Sequence, residues 1–398
     1  MSSEEVCATG ALWNRQGVPR HRWVIWMSAW LFLRLTLTPL MRVKVGGEEH
    51  VPETGGAMLL ANHATFFDFL LCFWGVGRPT SGIGSEQVFR LPVAGWVLKQ
   101  LNGIPFSKGA KDSAAVRALA EAYEGGAIIG MFPEGMRSWT GEPLPIKRGT
   151  GRLVKSLGCP VIYCRVITGF LQHPRWATWP RLVPWHMEYA YEEFPPEATA
   201  EEINAAIARG LAIDPEAVEL PPGSWGFRLA EGLPEFLWAC PSCFATETLS
   251  VPSDKDCVVC SACSHRWRID LRCQMLGDTP ETPTFSVAEA RHRLSAHFPL
   301  DAEVVCDDMH VTGVQRGRLR EEHVASGAAR LTDEGLEVHD GDEILWTLPY
   351  TEMTAVLLQF RNALQIRTED ANYQLDPRGQ SRLRWYHFLG LRTTDIAG

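Results

Sequence analysis

The most constraining feature of this chain is a pair of short apolar runs, each broken off by a chemically rich turn. Met58-Leu59-Leu60-Ala61 leads into Asn62-His63-Ala64-Thr65-Phe66-Phe67-Asp68, and the apolar residues from Phe66 to Val76 then read as a helix. Farther on, Ala127-Ile128-Ile129-Gly130-Met131-Phe132 runs into Pro133-Glu134-Gly135-Met136-Arg137-Ser138. Continuous apolar runs of this length are buried strands, and ligand sites in open α/β sheets lie at the carboxyl ends of such strands. Two polar turns that leave two buried strands therefore predict an α/β fold with its chemistry along one sheet edge.

The side chains define that chemistry. Imidazole has an unperturbed pKa near neutrality, so His63 can take a proton from a hydroxyl. A carboxylate such as Asp68, on the other ring nitrogen, fixes the tautomer and stabilises the imidazolium that forms. Asn62 or Thr65 is placed to cap the following helix and so to fix the backbone of His63. No serine or cysteine nearby sits in a nucleophile-elbow setting, so the hydroxyl to be activated belongs to the substrate. Arg137 adds a fork of donors suited to a phosphate or a carboxylate. The bland alternative for the first block is a histidine and an aspartate that fall together by chance at a helix start.

Taken together, N-H-x4-D and F-P-E-G-x-R-S resemble the first and third signature blocks of the glycerolipid acyltransferases, 1-acylglycerol-3-phosphate acyltransferase type. The resemblance covers about residues 20–220. It implies a central sheet flanked by helices, with His63 as general base and Asp68 orienting it. It also implies that Glu134, Gly135 and Arg137 help to hold the acceptor, and that acyl-CoA or acyl carrier protein is the donor. The second block falls at Leu101–Lys108, where the family usually ends Asp-Arg and this chain ends Ser107-Lys108. Lys108 meets a phosphate as a point charge without a bidentate fork. The fourth block is Gly158–Cys164, with Cys164 where the family has proline. Lys147 and Arg148 either hold an anionic substrate group or form a solvated basic pair.

Residues 1–22 are polar, and Trp23–Met41 is apolar and rich in tryptophan. A spanning helix needs about 20 mostly apolar residues, and this run carries Arg34 at its centre with Ser28, Thr36 and Thr38 around it. A helix in the membrane interface fits better, with a buried core helix as the alternative. No small-residue cleavage site follows, so the run is not a signal peptide. The expected setting is the cytoplasmic face of a membrane, with monotopic contact or a single N-terminal anchor, and membrane lipid as partner.

Between the blocks, Met41–Val45 reads as a first strand, 75–84 as loop, Phe89–Leu101 and Ser113–Tyr123 as helices, and Arg152–Leu157 and Ala200–Ala212 as two more. Residues 42–220 form the expected acyltransferase domain, and Pro221-Pro222-Gly223-Ser224 marks a boundary. Net charge is −9, which argues against a general nucleic-acid binder.

Residues 221–280 hold a linker and a different signal. Cys240-Pro241-Ser242-Cys243 and Cys260-Ser261-Ala262-Cys263 are paired knuckles at the separation of a four-cysteine zinc site. The segment resembles a zinc ribbon, whose second knuckle continues here as Ser264-His265-Arg266-Trp267. Cys257 offers a competing pair with Cys260, and two disulfides are the other reading. Closed sulfur ligation leaves no open coordination position, so the zinc is structural.

Residues 281–398 open with a helix capped by Ser286 and Glu289, then alternate with period two from about Leu300. Ser381 starts a last helix with Leu383, Trp385, Phe388 and Leu389 on one face. Antiparallel strands closed by one helix resemble a pleckstrin-homology or GRAM-like domain. Arg361, Arg367, Arg378, Arg382 and Arg384 either face an anionic headgroup or form a solvated face. The ribbon or the β-domain could bind a protein partner. An acyl-thioesterase, with His63 activating water, and a catalytically altered lipid-binding platform are the competing function classes.

Overall fold

In the computed structural model, residues 20–65, 68, 72, 75–78, 80–85, 89, 92–100, 103–106, 113–299, 301–315, 321–358 and 362–393 are described. The chain divides into two units, Met1–Arg175 with Pro180–Gly226, and Trp176–Trp179 with Phe227–Gly398.

The first unit begins with helix α1 (Arg20–Met41). Its sheet holds β1 (Lys44–Gly46), β2 (Ala57–Ala61), β3 (Thr80–Ser85), β4 (Ile104–Phe106), β5 (Ile128–Met131), β6 (Val161–Val166) and β7 (His186–Glu192), in the order β1-β7-β6-β2-β5-β3-β4. Every pairing is parallel except β6 with β7. Helices α2 (Pro92–Gln100), α3 (Ser113–Glu124), α4 (Arg148–Leu157), α5 (Gly169–Gln172) and α6 (Ala200–Leu211) accompany it.

All five residues of β2 are buried, as a central parallel strand covered on both faces requires. Alternation splits it between two cores. Ala57, Leu59 and Ala61 join Ile162, Trp185 and Met187 on one face. Met58 and Leu60 join Ile129, Leu119, Val154 and Ile207 on the other.

Several elements differ from expectation. Helix α1 runs on to Met41, so β1 starts only at Lys44. Arg42 makes the switch at φ 45°, held by guanidinium bonds to the carbonyls of Pro222 (3.1 Å) and Gly223 (2.7 Å). The stretch expected as loop contains β3, a strand between β5 and β4. Helix α4 begins at Arg148, not Arg152, and so includes Gly149 and Gly151. Asn62 is not a helix cap. Its side chain donates to the carbonyl of Val166 (3.3 Å) and accepts the Val166 amide (2.7 Å), which extends the β2–β6 pairing by one rung. Of the helix expected over 66–76, Asp68 and Cys72 are helical, Gly75 and Val76 form a turn, and the rest lies outside the described residues.

In the second unit, α7 (Leu233–Leu237) precedes a five-stranded sheet, β8 (Leu249–Ser250), β9 (Cys257–Cys260), β10 (Arg266–Ile269), β11 (Gln274–Gly277) and β12 (Phe285–Ser286), ordered β12-β11-β10-β9-β8. Helix α8 (Val287–His297) follows, and the Ser286 side chain accepts the Glu289 amide at its start. An antiparallel seven-stranded sheet comes last. It contains β13 (Val305–Gln315), β14 (Glu322–Leu331), β15 (Gly335–Asp340), β16 (Glu343–Pro349), β17 (Ala355–Leu358), β18 (Leu364–Arg367) and β19 (Ala371–Pro377), ordered β16-β15-β14-β13-β19-β18-β17. Helix α9 (Arg382–Thr393) closes it by burying Leu383, Trp385, Phe388 and Leu389. The order α/β sheet, cysteine-bearing segment, antiparallel sheet with closing helix is the expected one. Strands β13 and β14 fall within the stretch expected to alternate from about Leu300, although Asp, His, Gly and Ala blur their pattern.

Candidate active site

Strands β2 and β5 are parallel neighbours, with Leu60 opposite Met131, so the two motif turns leave the sheet side by side. His63 Nδ1 lies 2.9 Å from Asp68 Oδ2. That oxygen also accepts the amides of Ala64 and Thr65, both at 2.7 Å. Asp68 is 0% exposed. A carboxylate so fixed sets both the loop and the imidazole that reports on it. The ring stacks on Phe132, the last residue before Pro133, with centroids 4.1 Å apart. The side chain keeps 23% exposure. With Nδ1 committed to Asp68, Nε2 is the nitrogen left for a substrate proton.

Glu134 is 4% exposed and accepts the Leu144 amide at 3.4 Å. Burial pushes its carboxyl up to about 7, opposed by bonds from the amides of Leu144 and His63 and reinforced by the charge of Asp68. Gly135 stands at φ 77°, a left-handed turn that favours glycine. A Cβ there would come within 3.2 Å of the Lys147 stem, which crosses directly over the turn. Ser138 donates its amide to the His63 carbonyl (2.9 Å), tying the two loops together. Burial draws the Arg137 guanidinium below its ordinary pKa, while the Asp68 charge acts to raise it. Its Nη1 is buried without a hydrogen-bond partner among the described residues. Lys108 lies outside the described residues. The structure thus brings His63, Asp68, Glu134, Gly135 and Arg137 to one sheet edge. It also brings in the Lys147 stem, whose reach the sequence left undecided.

Residues 42–167 match the Acyltransferase family model. The likeness to the acyltransferase family lies in that segment. The acyltransferase segment is similar to a chloroplastic 1-acyl-sn-glycerol-3-phosphate acyltransferase of Brassica napus, 26% identical over 33% of this chain and 39% of that protein. It is also similar to a 1-acyl-sn-glycerol-3-phosphate acyltransferase of Pseudomonas aeruginosa, 29% identical over 36% of this chain and 56% of that protein. The matched region thus spans between two fifths and three fifths of these relatives' length. A crystal structure of the 1-acyl-sn-glycerophosphate acyltransferase from Thermotoga maritima aligns over 48% of this chain and 81% of that one, at TM-score 0.39 and 21% identity.

The second unit gathers the sulfurs of Cys240, Cys243, Cys260 and Cys263 within 4.8 Å of one another. Cys240 and Cys263 are 3.7 Å apart, as are Cys243 and Cys260. Four sulfurs about 2.3 Å from a tetrahedral zinc stand about 3.8 Å apart, so the donor set fits that ion. The amide of Ser242 donates to Cys240 Sγ (3.4 Å), and Thr248 Oγ1 is 3.4 Å from Cys260 Sγ. Cys257 is outside this group. Its thiol is buried, which raises its pKa, and it bonds instead with Arg266 and Asp254.

Of the arginines raised as headgroup contacts, Arg378 pairs with Asp308 (3.5 Å) and Arg382 with Asp376 (2.8 Å). Arg384 is 9% exposed, and Arg361 lies outside the described residues. These pairings favour the solvated-face reading for Arg378 and Arg382, while Arg384 is buried and belongs to neither face.

Proposed function

We propose that the chain transfers a fatty acyl group from acyl-CoA or acyl carrier protein to the free hydroxyl of a lysophospholipid, with 1-acylglycerol 3-phosphate as the acceptor. The observation that carries this reading is the His63–Asp68 pair at 2.9 Å beside buried Glu134 and half-buried Arg137. His63 Nε2 takes the acceptor's hydroxyl proton as the oxygen bonds to the thioester carbonyl carbon. Asp68 holds the resulting imidazolium. Collapse of the tetrahedral intermediate breaks the C–S bond, and the departing thiolate takes the proton back from His63. The attack is direct, without an acyl-enzyme. Glu134 and Gly135 shape the acceptor site, and the Arg137 fork meets the acceptor phosphate with Lys108 adding a point charge.

The lipid substrates are reached from the cytoplasmic face of a membrane. Helix α1 exposes Leu31, Phe32, Leu35 and Leu40, a surface suited to the acyl–headgroup boundary. Among the described residues no helix is long and apolar enough to cross a bilayer. Zinc held by Cys240, Cys243, Cys260 and Cys263 cross-links the two knuckles and stabilises the fold of that segment. We divide the chain into a polar segment at 1–22, the interface helix at 23–41, the acyltransferase domain at 42–220, linker and ribbon at 221–280, and the helix and β-domain at 281–398.

Labelled acyl-CoA or acyl carrier protein, offered with lysophosphatidate, glycerol 3-phosphate and lysolipids lacking phosphate, tests the reading. Wild type acylates lysophosphatidate, and His63→Ala loses on the order of 10²–10⁴ in rate. Release of free fatty acid with no acceptor points instead to a thioesterase. Liposome binding with no transfer points to a lipid-binding platform. An equal rate in the variant removes His63 as the base.

A further inference from the structure

The segment after β6 lies beyond residues 42–167 and returns to both motif loops. A Cβ on Gly169 would meet the side chains of Ala64 and Thr65 at 3.1 Å. The Phe170 ring packs so closely on Gly141, at φ 89°, that a Cβ there would stand 2.6 Å from it. Arg175 reaches farthest. Its Nη1 donates to the Arg137 carbonyl at 2.9 Å, and its guanidinium lies over the Trp139 ring, 4.2 Å from the centroid.

These contacts hold Arg137 from both sides. The next amide, that of Ser138, is tied to the His63 carbonyl at 2.9 Å. Ser138 Oγ donates to the Glu142 carbonyl (2.7 Å) and accepts the Gly141 amide (3.0 Å), which closes the turn that carries Trp139. The Arg137–Ser138 peptide is thus held at both ends, its amide by the His63 carbonyl and its carbonyl by Arg175. Burial already withdraws the Arg137 guanidinium from water, and its Nη1 has no protein partner among the described residues. A buried donor on a charged fork is an expensive thing to leave unmade unless an anionic ligand completes it.

We propose that Arg175 is a positioning residue for the acceptor's phosphate. Its bond to the Arg137 carbonyl and its stack on Trp139 aim the Arg137 fork at the anionic end of the acceptor. This rests on the acyl-transfer reading above and extends it to a residue outside the matched segment. Arg175 itself need not touch substrate. A second cation nearby also favours the dianion electrostatically, so a lysine should recover part of the effect but not the geometry.

The experiment uses the full chain, with KM and kcat measured for lysophosphatidate and for a monoacylglycerol lacking phosphate, each against the same acyl donor. Arg175→Ala raises the KM for lysophosphatidate about tenfold, the size of one lost or misaligned charge-assisted bond. Its kcat, the donor KM and the KM for monoacylglycerol stay within about twofold. Arg175→Lys recovers part of the loss. Trp139→Leu, which removes the stacking partner and leaves Arg175 in place, repeats the selective rise. Thermal unfolding of each variant accompanies the kinetics, and if Arg175→Ala does not fold, the lysine and Trp139 variants carry the same comparison. An unchanged KM for lysophosphatidate in these variants overturns the proposal, as does an equal rise for both acceptors. Wild type that transfers to no acceptor, or only to monoacylglycerol, removes the acyl-transfer or phosphate reading itself and this inference with it.

Discussion

Glu134 is the residue whose environment departs most from what its position in a motif would suggest. A carboxylate in water titrates near 4.5, and burial lifts this one to about 7. The folded chain therefore binds a proton more tightly than the unfolded chain does. Below about pH 4.5 both states are protonated and the full stability is present. As pH rises toward 7 the unfolded state releases its proton first, so stability is lost across that window, by about 3 kcal/mol in all, and is flat above it. Glu134→Gln removes the slope. Denaturant unfolding at pH 5 and pH 8 should show wild type weakening with pH and the variant unmoved by this group. A slope that survives the substitution would show that another group sets it. The motif names Glu134 and Arg137 from the sequence, but the Leu144 amide that Glu134 accepts in the fold belongs to no motif. Similarly, the His63–Asp68 spacing was legible, whereas the amides of Ala64 and Thr65 that fix Asp68 become visible only once the turn is folded.

At the scale of elements, glycine separates local propensity from the fold in two places, for the same reason. Gly149 and Gly151 are poor helix formers, so the helix reads as starting at Arg152. In the fold, α4 starts at Arg148 because Gly151 lets α6 approach closely. A Cβ there would stand 2.2 Å from the Ala200 carbonyl oxygen, and the Gly151 amide donates to Asn204 Oδ1 at 2.8 Å. Gly151→Ala, although it raises intrinsic helix propensity, should destabilise the protein by about 1–3 kcal/mol through overpacking. The denaturation midpoint measures this, and an unchanged or raised midpoint would mean that the two helices can separate without cost. Strand β3 is the counterpart. Thr-Ser-Gly-Ile-Gly-Ser has low strand propensity, yet it pairs with β5 and β4, and Gly84 leaves space for Phe89, whose ring a Cβ would approach to 3.0 Å. Tertiary pairing overrides local preference where a small residue is needed for fit.

Over the whole chain, both units bury apolar residues, and the cysteine-bearing segment also gathers metal ligands. The first has two apolar cores on either face of its sheet. In the second, the segment between the knuckles has short strands, and its four sulfurs within 4.8 Å of one another offer a metal ion the ligands for a cross-link. Helix α8 supports the same segment, since Arg293 Nε donates to the Pro241 carbonyl within the first knuckle at 3.0 Å. Purified protein should carry one zinc ion per chain by atomic absorption. Cys260→Ser should lose it and raise hydrogen exchange over residues 238–263. Cys257→Ser should retain the metal, because Cys257 bonds with Arg266 and Asp254 rather than facing the other sulfurs. Zinc lost from Cys257→Ser with Cys260→Ser still loaded would reverse that assignment.

The sequence by itself determined the class of fold, the two motif turns, the cysteine knuckles and the closing helix of the last sheet. All of these depend on local periodicity or on residues close together in the chain. Tertiary structure alone decided that β3 is a strand, that Asn62 pairs with Val166 rather than capping a helix, and that Cys257 stands apart from the other thiols. It alone brought Arg175 onto Arg137. Each of these depends on which group the folded chain supplies as partner, and such pairing leaves no periodic trace in either segment.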